Sequence, residues 1–343
     1  MKISMNQKQK SLLYALDNER TLQEGFDEFI RDCEARNLSK QTIDYYKNCY
    51  KVLLKVEDTQ EEVEEGEEIE PIFTEETKIS LIQSQDLGII NRYLLNTYKE
   101  SSVNSYLRGI RAIFYFFMDL HYMDKMQVGL VKATKEVKPT YTDEELERLL
   151  KKPNIKAKNA SFSEYRNWVL VNYLLATGNR ISTVCNIKNK DVNLTTDMII
   201  LEKTKNRKEQ VIPISRSLHA ILKEYMGYRG GEEDDYLFCN QSGYKFTEDA
   251  CKHAIAKYNN KRGVRKTSCH VFRHTFAKKW ILNGGDIFRL QKLLGHSSME
   301  MVREYVEMFG EDLQKNYNEF NPLESLKPRK ESNPTMKGRK IKM

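Results

Sequence analysis

Residues 270–310 read HVFRHTFAKKWILNGGDIFRLQKLLGHSSMEMVREYVEMFG, and this stretch decides the fold. It parses into three short helices separated by two stops. Thr267 or Ser268 caps the first helix, and Asn283-Gly284-Gly285 stops it. Asp286 opens the second, and Gly295 closes it in the left-handed conformation that suits a helix end. Ser297 and Glu300 form a capping box for the third, which carries Tyr305 and ends near Gly310. On the first helix His270 and Arg273 are i and i+3, so they share a face. Phe272 and Phe276 are i and i+4, on a different, apolar face. Arginine grips phosphate oxygens in a two-pronged fork, and imidazole donates a hydrogen bond or moves a proton. That face therefore suits a phosphate. Each feature also has a plainer reading: a solvated basic face for His270 and Arg273, a backbone-bonded turn histidine for His296, half-buried packing for Tyr305.

Working back along the chain, residues 164–176 predict a buried helix that stops at Gly178. Arg180 follows two residues later, where burial is costly unless an anion or carboxylate meets the guanidinium. A phosphate ligand and a structural salt bridge are both open readings of it. Residues 197–202 and 209–214 predict two strands around a polar hairpin tip, KTKNRK, with four cationic residues. Thr142 and Glu145 form a capping box for a helix through Leu150, and helices dominate from about Thr247 to Phe320.

Nearer the N-terminus the same signals repeat. Thr21 with Glu24 opens a helix with apolar residues at Leu22, Phe26, Phe29, Ile30 and Cys33. Ser39 opens a second, with Ile43, Tyr46, Tyr50, Leu53 and Leu54. Helical spacing returns over Ile89–Tyr98 and Ser101–Asp119. The predicted fold class is mainly α with a small antiparallel β-sheet. The predicted organisation is a flexible lead (1–20), a helical domain (21–128), a basic linker around Pro139 (129–140), an α+β domain (141–326) and a basic disordered tail (327–343).

The 343 residues carry 56 Lys+Arg against 49 Asp+Glu, a net +7. Residues 57–70, EDTQEEVEEGEEIE, hold nine acids and no base, which reads as a solvated acidic insertion. Without that segment the chain carries +16, which favours a polyanion partner, nucleic acid first. The segment either points away from such a partner or covers the basic surface until the correct one displaces it. Six cysteines, none in a metal-binding spacing, read as free buried thiols in a reducing compartment. No run of apolar residues is long enough for a membrane, and the first residues lack a signal-peptide core, so a cytoplasmic protein is expected.

Taken together, TGNR (177–180), the KTKNRK hairpin, HVFRH (270–274), LLGHSS (293–298) and Tyr305, nine residues after His296, resemble the tyrosine recombinase (phage integrase) family. The resemblance spans about residues 21–320, since LSKQTIDYY (38–46) is similar to the second helix of that family's core-binding domain. It implies an all-α core-binding domain plus an α+β catalytic domain, joined by the basic linker in a way that suits a clamp on duplex DNA. It also implies Tyr305 as nucleophile, Arg180 and Arg273 as phosphate ligands, and His270 and His296 as the histidine positions. The hairpin lysine, counted eight residues before Pro213, is Lys205, with Lys203 as runner-up. His274 matches a residue that supports the fold. Two departures stand out: Thr183 where the family often has Glu, and Met301-Val302 where a threonine pair is usual.

The implied activity is site-specific cleavage and rejoining of DNA through a 3′-phosphotyrosine, with no cofactor, metal or ATP. The implied partners are double-stranded DNA recombination sites, a homotetramer on two such sites and an optional accessory directionality factor, with no membrane. The length and the acidic insertion favour an integrase of a phage, transposon or conjugative element acting at the nucleoid. The alternatives are a type IB topoisomerase-like nicking-closing enzyme and a non-catalytic DNA-binding protein of the same fold.

Overall fold

A computed structural model describes residues 20–58, 70–132, 138–154, 161–201, 210–295 and 299. The chain divides into two compact units, Met1–Glu136 and Val137–Met343.

Among its described residues, the first unit takes its regular elements from helices. Helix α1 (Leu22–Ala35) starts at Thr21, whose side chain accepts from the Glu24 N–H while the Glu24 carboxylate accepts from the Thr21 N–H. Ser39 caps α2 (Lys40–Leu53), its side chain accepting from the Thr42 N–H. Helices α3 (Asp86–Thr97) and α4 (Glu100–Asp119) follow. The 20-residue α4 carries the core stripe: Val103, Leu107, Ile110, Ile113, Phe114 and Phe117 are all buried. Where α2 crosses α4, Gly109 has no room for a side chain, because a Cβ there would run into Cys49 Sγ. A backbone-to-backbone approach that close needs glycine.

The acidic insertion behaves differently at its ends than its composition suggests. Glu57 forms a β-bridge with Pro71, and the Ile72 N–H donates to the Val56 carbonyl at 2.8 Å. Asp58 pairs with Arg92 at 3.1 Å. Both ends of the segment are thus fastened to the helical unit, and residues 59–69 lie outside the described residues. The expected linker likewise begins attached. The Asn104 side chain donates to the Val131 carbonyl (2.9 Å) and accepts from its N–H (3.0 Å). The lead 1–19 and the tail 327–343 fall outside the described residues.

The second unit opens with α5 (Asp143–Leu150), capped by the Thr142–Glu145 box. Helix α6 (Phe162–Thr177) runs through the core with buried residues around most of its circumference. A single turn, α7 (Ile181–Val184), leads to a three-stranded antiparallel sheet of order β1-β2-β3: Val192–Asn193, Met198–Leu201, Gln210–Pro213. Its register pairs Ile199 with Ile212 and Leu201 with Gln210, placing Val192, Ile199, Leu201 and Ile212 on the buried face. Residues 202–209, the hairpin tip with Lys203 and Lys205, lie outside the described residues. Helices α8 (Arg216–Arg229), α9 (Glu248–Lys261), α10 (Cys269–Leu282) and α11 (Ile287–Leu294) complete the unit.

Strand β1 and helix α8 are additional to the elements expected from the sequence. The apolar pair Phe272 and Phe276 does not share one destination: Phe272 is fully buried in the main core, while Phe276 packs into a satellite cluster with Ala277, Leu290 and Leu294. All six cysteines are free and buried. Among the described residues no helix is long and apolar enough to cross a membrane.

Candidate active site

Two helix ends and one helix start build the site. Helix α6 stops at Gly178, whose φ of 63° is the left-handed conformation. A Cβ there would meet Phe276 Cδ1 at 2.5 Å and Leu294 Cδ2 at 2.8 Å, so glycine is required by space as well as by angle. The turn is rigid. Thr177 Oγ1 donates to the Tyr173 carbonyl (2.8 Å) and accepts from the Asn179 N–H (3.3 Å). Asn179 Nδ2 donates to the Tyr173 hydroxyl at 3.0 Å. Thr177 and Asn179 are both buried. This network aims the next residue, Arg180, which is half-buried and caps α7.

Arg273 comes from α10 and is 4% exposed. Its Nη1 donates to the Gly178 carbonyl at 2.9 Å and its Nη2 to the Leu294 carbonyl at 2.8 Å. Arg180 Nη1 reaches the same Leu294 carbonyl at 3.4 Å. The two arginines, 93 positions apart in the chain, therefore converge on one backbone oxygen. That oxygen sits at the C-terminal end of α11, where unpaired carbonyls and the helix dipole present negative charge. The sequence reading expected an anion or carboxylate to meet Arg180. Here a helix end supplies the partial negative charge for both guanidinium groups.

His270 lies in the first turn of α10, with its N–H donating to the Ser268 hydroxyl at 3.3 Å. Its ring and that of His274 lie 6.4 Å apart, centroid to centroid. Loss of hydration first, then the positive charges of Arg273, Arg180, Lys252 and Lys138, hold its pKa below the ordinary value. A neutral imidazole results, able to accept a proton. A cleft of about 320 Å³ opens beside it, lined among others by Ile181, Lys252, His253, Thr267 and Ser268. Lys252 and His253 reach this cleft through folding alone, with no motif to mark them. Thr183, at the position of the family's glutamate, is buried.

Helix α11 ends at Gly295 (φ 61°, ψ 41°), as its sequence predicts. Gln210, the first residue of β3, also grips this end. Its Nε2 donates to the carbonyls of Lys292 (2.6 Å) and Leu293 (2.9 Å). Of the six residues proposed from sequence, the structure brings together Arg180, Arg273 and His270. His296, Tyr305, Lys205 and the runner-up Lys203 lie outside the described residues, as does the Ser297–Glu300 capping box.

The phage integrase family model matches residues 140–311. Tyrosine recombinase XerC of Bacillus pumilus (strain SAFR-032) is 24% identical over 265 residues, covering 74% of this chain and 82% of that protein. Tyrosine recombinase XerA of Thermococcus kodakarensis is 27% identical over 236 residues, covering 67% and 79%. Among solved structures, the Tn1549 transposon integrase in complex with transposon right end DNA shares the fold at a TM-score of 0.66 and 19% identity, covering 83% of this chain and 94% of that one. A lambda integrase dimer bound to a COC′ core site matches at a TM-score of 0.62 and 15% identity, covering 82% and 97%.

Proposed function

This chain belongs to the phage integrase family and is a tyrosine-type recombinase, and from that premise we propose that it cuts and rejoins duplex DNA at specific sites with Tyr305 as nucleophile. The observation that carries the reading is the convergence of Arg180 and Arg273 on the Leu294 carbonyl, beside a His270 held neutral. That joint stands one residue before Gly295 and two before His296, so it supports a site assembled at this helix end.

In this reading the Tyr305 hydroxyl attacks the scissile phosphorus. A bond forms between the phenolic oxygen and phosphorus while the bond to the 5′-oxygen breaks. A phenol is a weak nucleophile at its free pKa of about 10, so a base must take its proton. The neutral His270 fits that role. Arg180 and Arg273 stabilise the non-bridging oxygens as charge builds in the transition state. His296 bonds a phosphate oxygen, and Lys205 gives a proton to the departing 5′-oxygen. The product is a 3′-phosphotyrosine, whose retained bond energy lets a second 5′-hydroxyl reverse the step.

The same reading makes duplex recombination sites the partner, a homotetramer on two sites the active assembly, and an accessory directionality factor a natural addition. Residues 57–70 support an integrase of a mobile element, acting in the cytoplasm on nucleoid DNA.

The test is Tyr305→Phe on a nicked suicide substrate. The variant is expected to bind DNA as the parent does and to lose cleavage by on the order of 10⁴-fold or more, the scale of removing a catalytic nucleophile. The parent is expected to be trapped covalently through a 3′-phosphate. A covalent adduct persisting in Tyr305→Phe overturns the assignment and makes Tyr317 the next residue to replace.

A further inference from the structure

The last four carbonyls of any α-helix lack partners within the helix. At the end of α11 three of these four are engaged by side chains from elsewhere in the fold. Leu294 accepts from Arg273 and Arg180, and Lys292 and Leu293 accept from the Gln210 carboxamide. Gln210 also closes the base of the β2–β3 hairpin, paired in register with Leu201. The eight residues between that pair include Lys203 and Lys205. The gap beneath Gly295 is narrow: a Cβ at Gly295 would lie 3.0 Å from Gln210 Oε1 and 3.9 Å from Arg180 Nη1. One helix end is therefore the shared anchor of the arginine pair and of the lysine-bearing hairpin.

The geometry points to Gln210 as a positioning residue that sets the lysine hairpin in register with the arginine pair by clamping both to the end of α11. The four-pair ladder ending at Leu201 and Gln210 fixes the foot of the hairpin within the sheet alone. A two-bond clamp at the foot, directed to the carbonyls one and two residues before the arginines' own anchor, ties that foot to the helix end as well. The carboxamide suits this task because its NH₂ offers two donors to two adjacent carbonyls. A carboxylate of the same shape offers none and would be repelled by the carbonyl cluster. An ammonium would donate and would favour the negative helix end.

This inference rests on the reading of Lys205 as the proton donor, so the experiment carries its own control. Cleavage is measured on two substrates, one with the normal 5′-oxygen leaving group and one with a bridging 5′-sulfur, which departs without protonation. Lys205→Ala serves as the reference: slow on oxygen and restored on sulfur. Gln210→Glu and Gln210→Ala are expected to slow the oxygen substrate about 10- to 100-fold, the scale of a misplaced catalytic group, and to cleave the sulfur substrate near the parental rate. Gln210→Lys is expected to recover most of the loss on oxygen. Equal slowing on both substrates would mean that Gln210 supports the arginines or the fold rather than the lysine, and would overturn the proposal. Parental rates on both substrates would overturn it as well. Should Lys205→Ala itself fail to recover on sulfur, the proton-donor reading falls. If Lys203→Ala then shows the recovery instead, Gln210 keeps its role with Lys203 as the residue it positions.

Discussion

The two units bury different chemistry. Among the described residues, Asn104 is the single buried polar side chain of the first unit, and it serves to fasten Val131. The second unit buries eight: Arg166, Thr177, Asn179, Thr183, Asp191, Asn259, Arg273 and Thr275. Apolar burial is non-directional and scales with area, so it fixes helices in contact without fixing any one atom. Hydrogen-bonded burial is directional and penalises every unmade bond, so it fixes atoms. The first unit is held as a packed bundle. The second is held in addition by polar joints, and three of the eight residues, Thr177, Asn179 and Arg273, make theirs at the turn 177–180 and the end of α11. The remaining joints, such as Arg166 on the Cys239 carbonyl and Asn259 on the Lys266 carbonyl, fix other parts of the same unit.

The sharpest way to break this comparison is to remove one anchor from each unit. Phe114→Ala empties a fully buried site in the first unit and is expected to lower unfolding stability by about 3–5 kcal/mol, read from urea or thermal unfolding. Arg273→Ala is expected to lower it less, by about 1–3 kcal/mol, as the Gly178 carbonyl loses this donor and the Leu294 carbonyl keeps only Arg180, while cleavage falls far below the parental rate. If Arg273→Ala matches Phe114→Ala in stability, the polar joints of the second unit are structural pillars first, and the contrast dissolves.

The smallest expected effect is in pH. His270 is neutral in the folded protein because dehydration and neighbouring cations lower its pKa from the ordinary value of about 6.5. The cleavage rate should therefore hold as pH drops through 6.5 and fall only at lower pH, when the ring takes up a proton. Lys252→Gln removes one of the depressing charges and should move that midpoint upward, toward 6.5. For stability the sign is the same. The unfolded chain binds this proton at higher pH than the folded one, so His270's contribution declines as pH falls from about 6.5 toward the folded-state pKa. A rate midpoint at or above 6.5 would remove the case for His270 as proton acceptor.

The helices of the first unit are legible in the sequence because each begins at a capping side chain and keeps its apolar residues on one stripe. Thr21, Ser39 and the Val103–Phe117 series need no tertiary information. The ends of α6 and α11 are legible for a similar reason, since Gly178 and Gly295 mark left-handed stops. Strand β1 is two residues long and exists by virtue of its pairing with β2, so no local pattern encodes it. Helix α8 has its Ser215 cap and the Leu218, Leu222, Tyr225 spacing, but charged residues dilute the stripe. Within the site, Arg180, Arg273 and His270 could be named from motif and spacing. Gln210 could not: its partners are backbone carbonyls more than eighty positions away, and carbonyls leave no signature in a sequence.

Helix α11 has only eight residues, too few to persist by intrinsic propensity. Leu290 and Leu294, packed with Phe276 and Ala277, keep it in place. Its last turn, which an isolated helix of this length would let fray, is held by those contacts and by side chains reaching in from outside. Here fraying releases three ties in a single event: Arg180, Arg273 and the foot of the lysine hairpin share that one turn. On warming, such a molecule would lose its catalytic register abruptly while most of its helices remain intact, and would regain it on cooling as the turn rewinds.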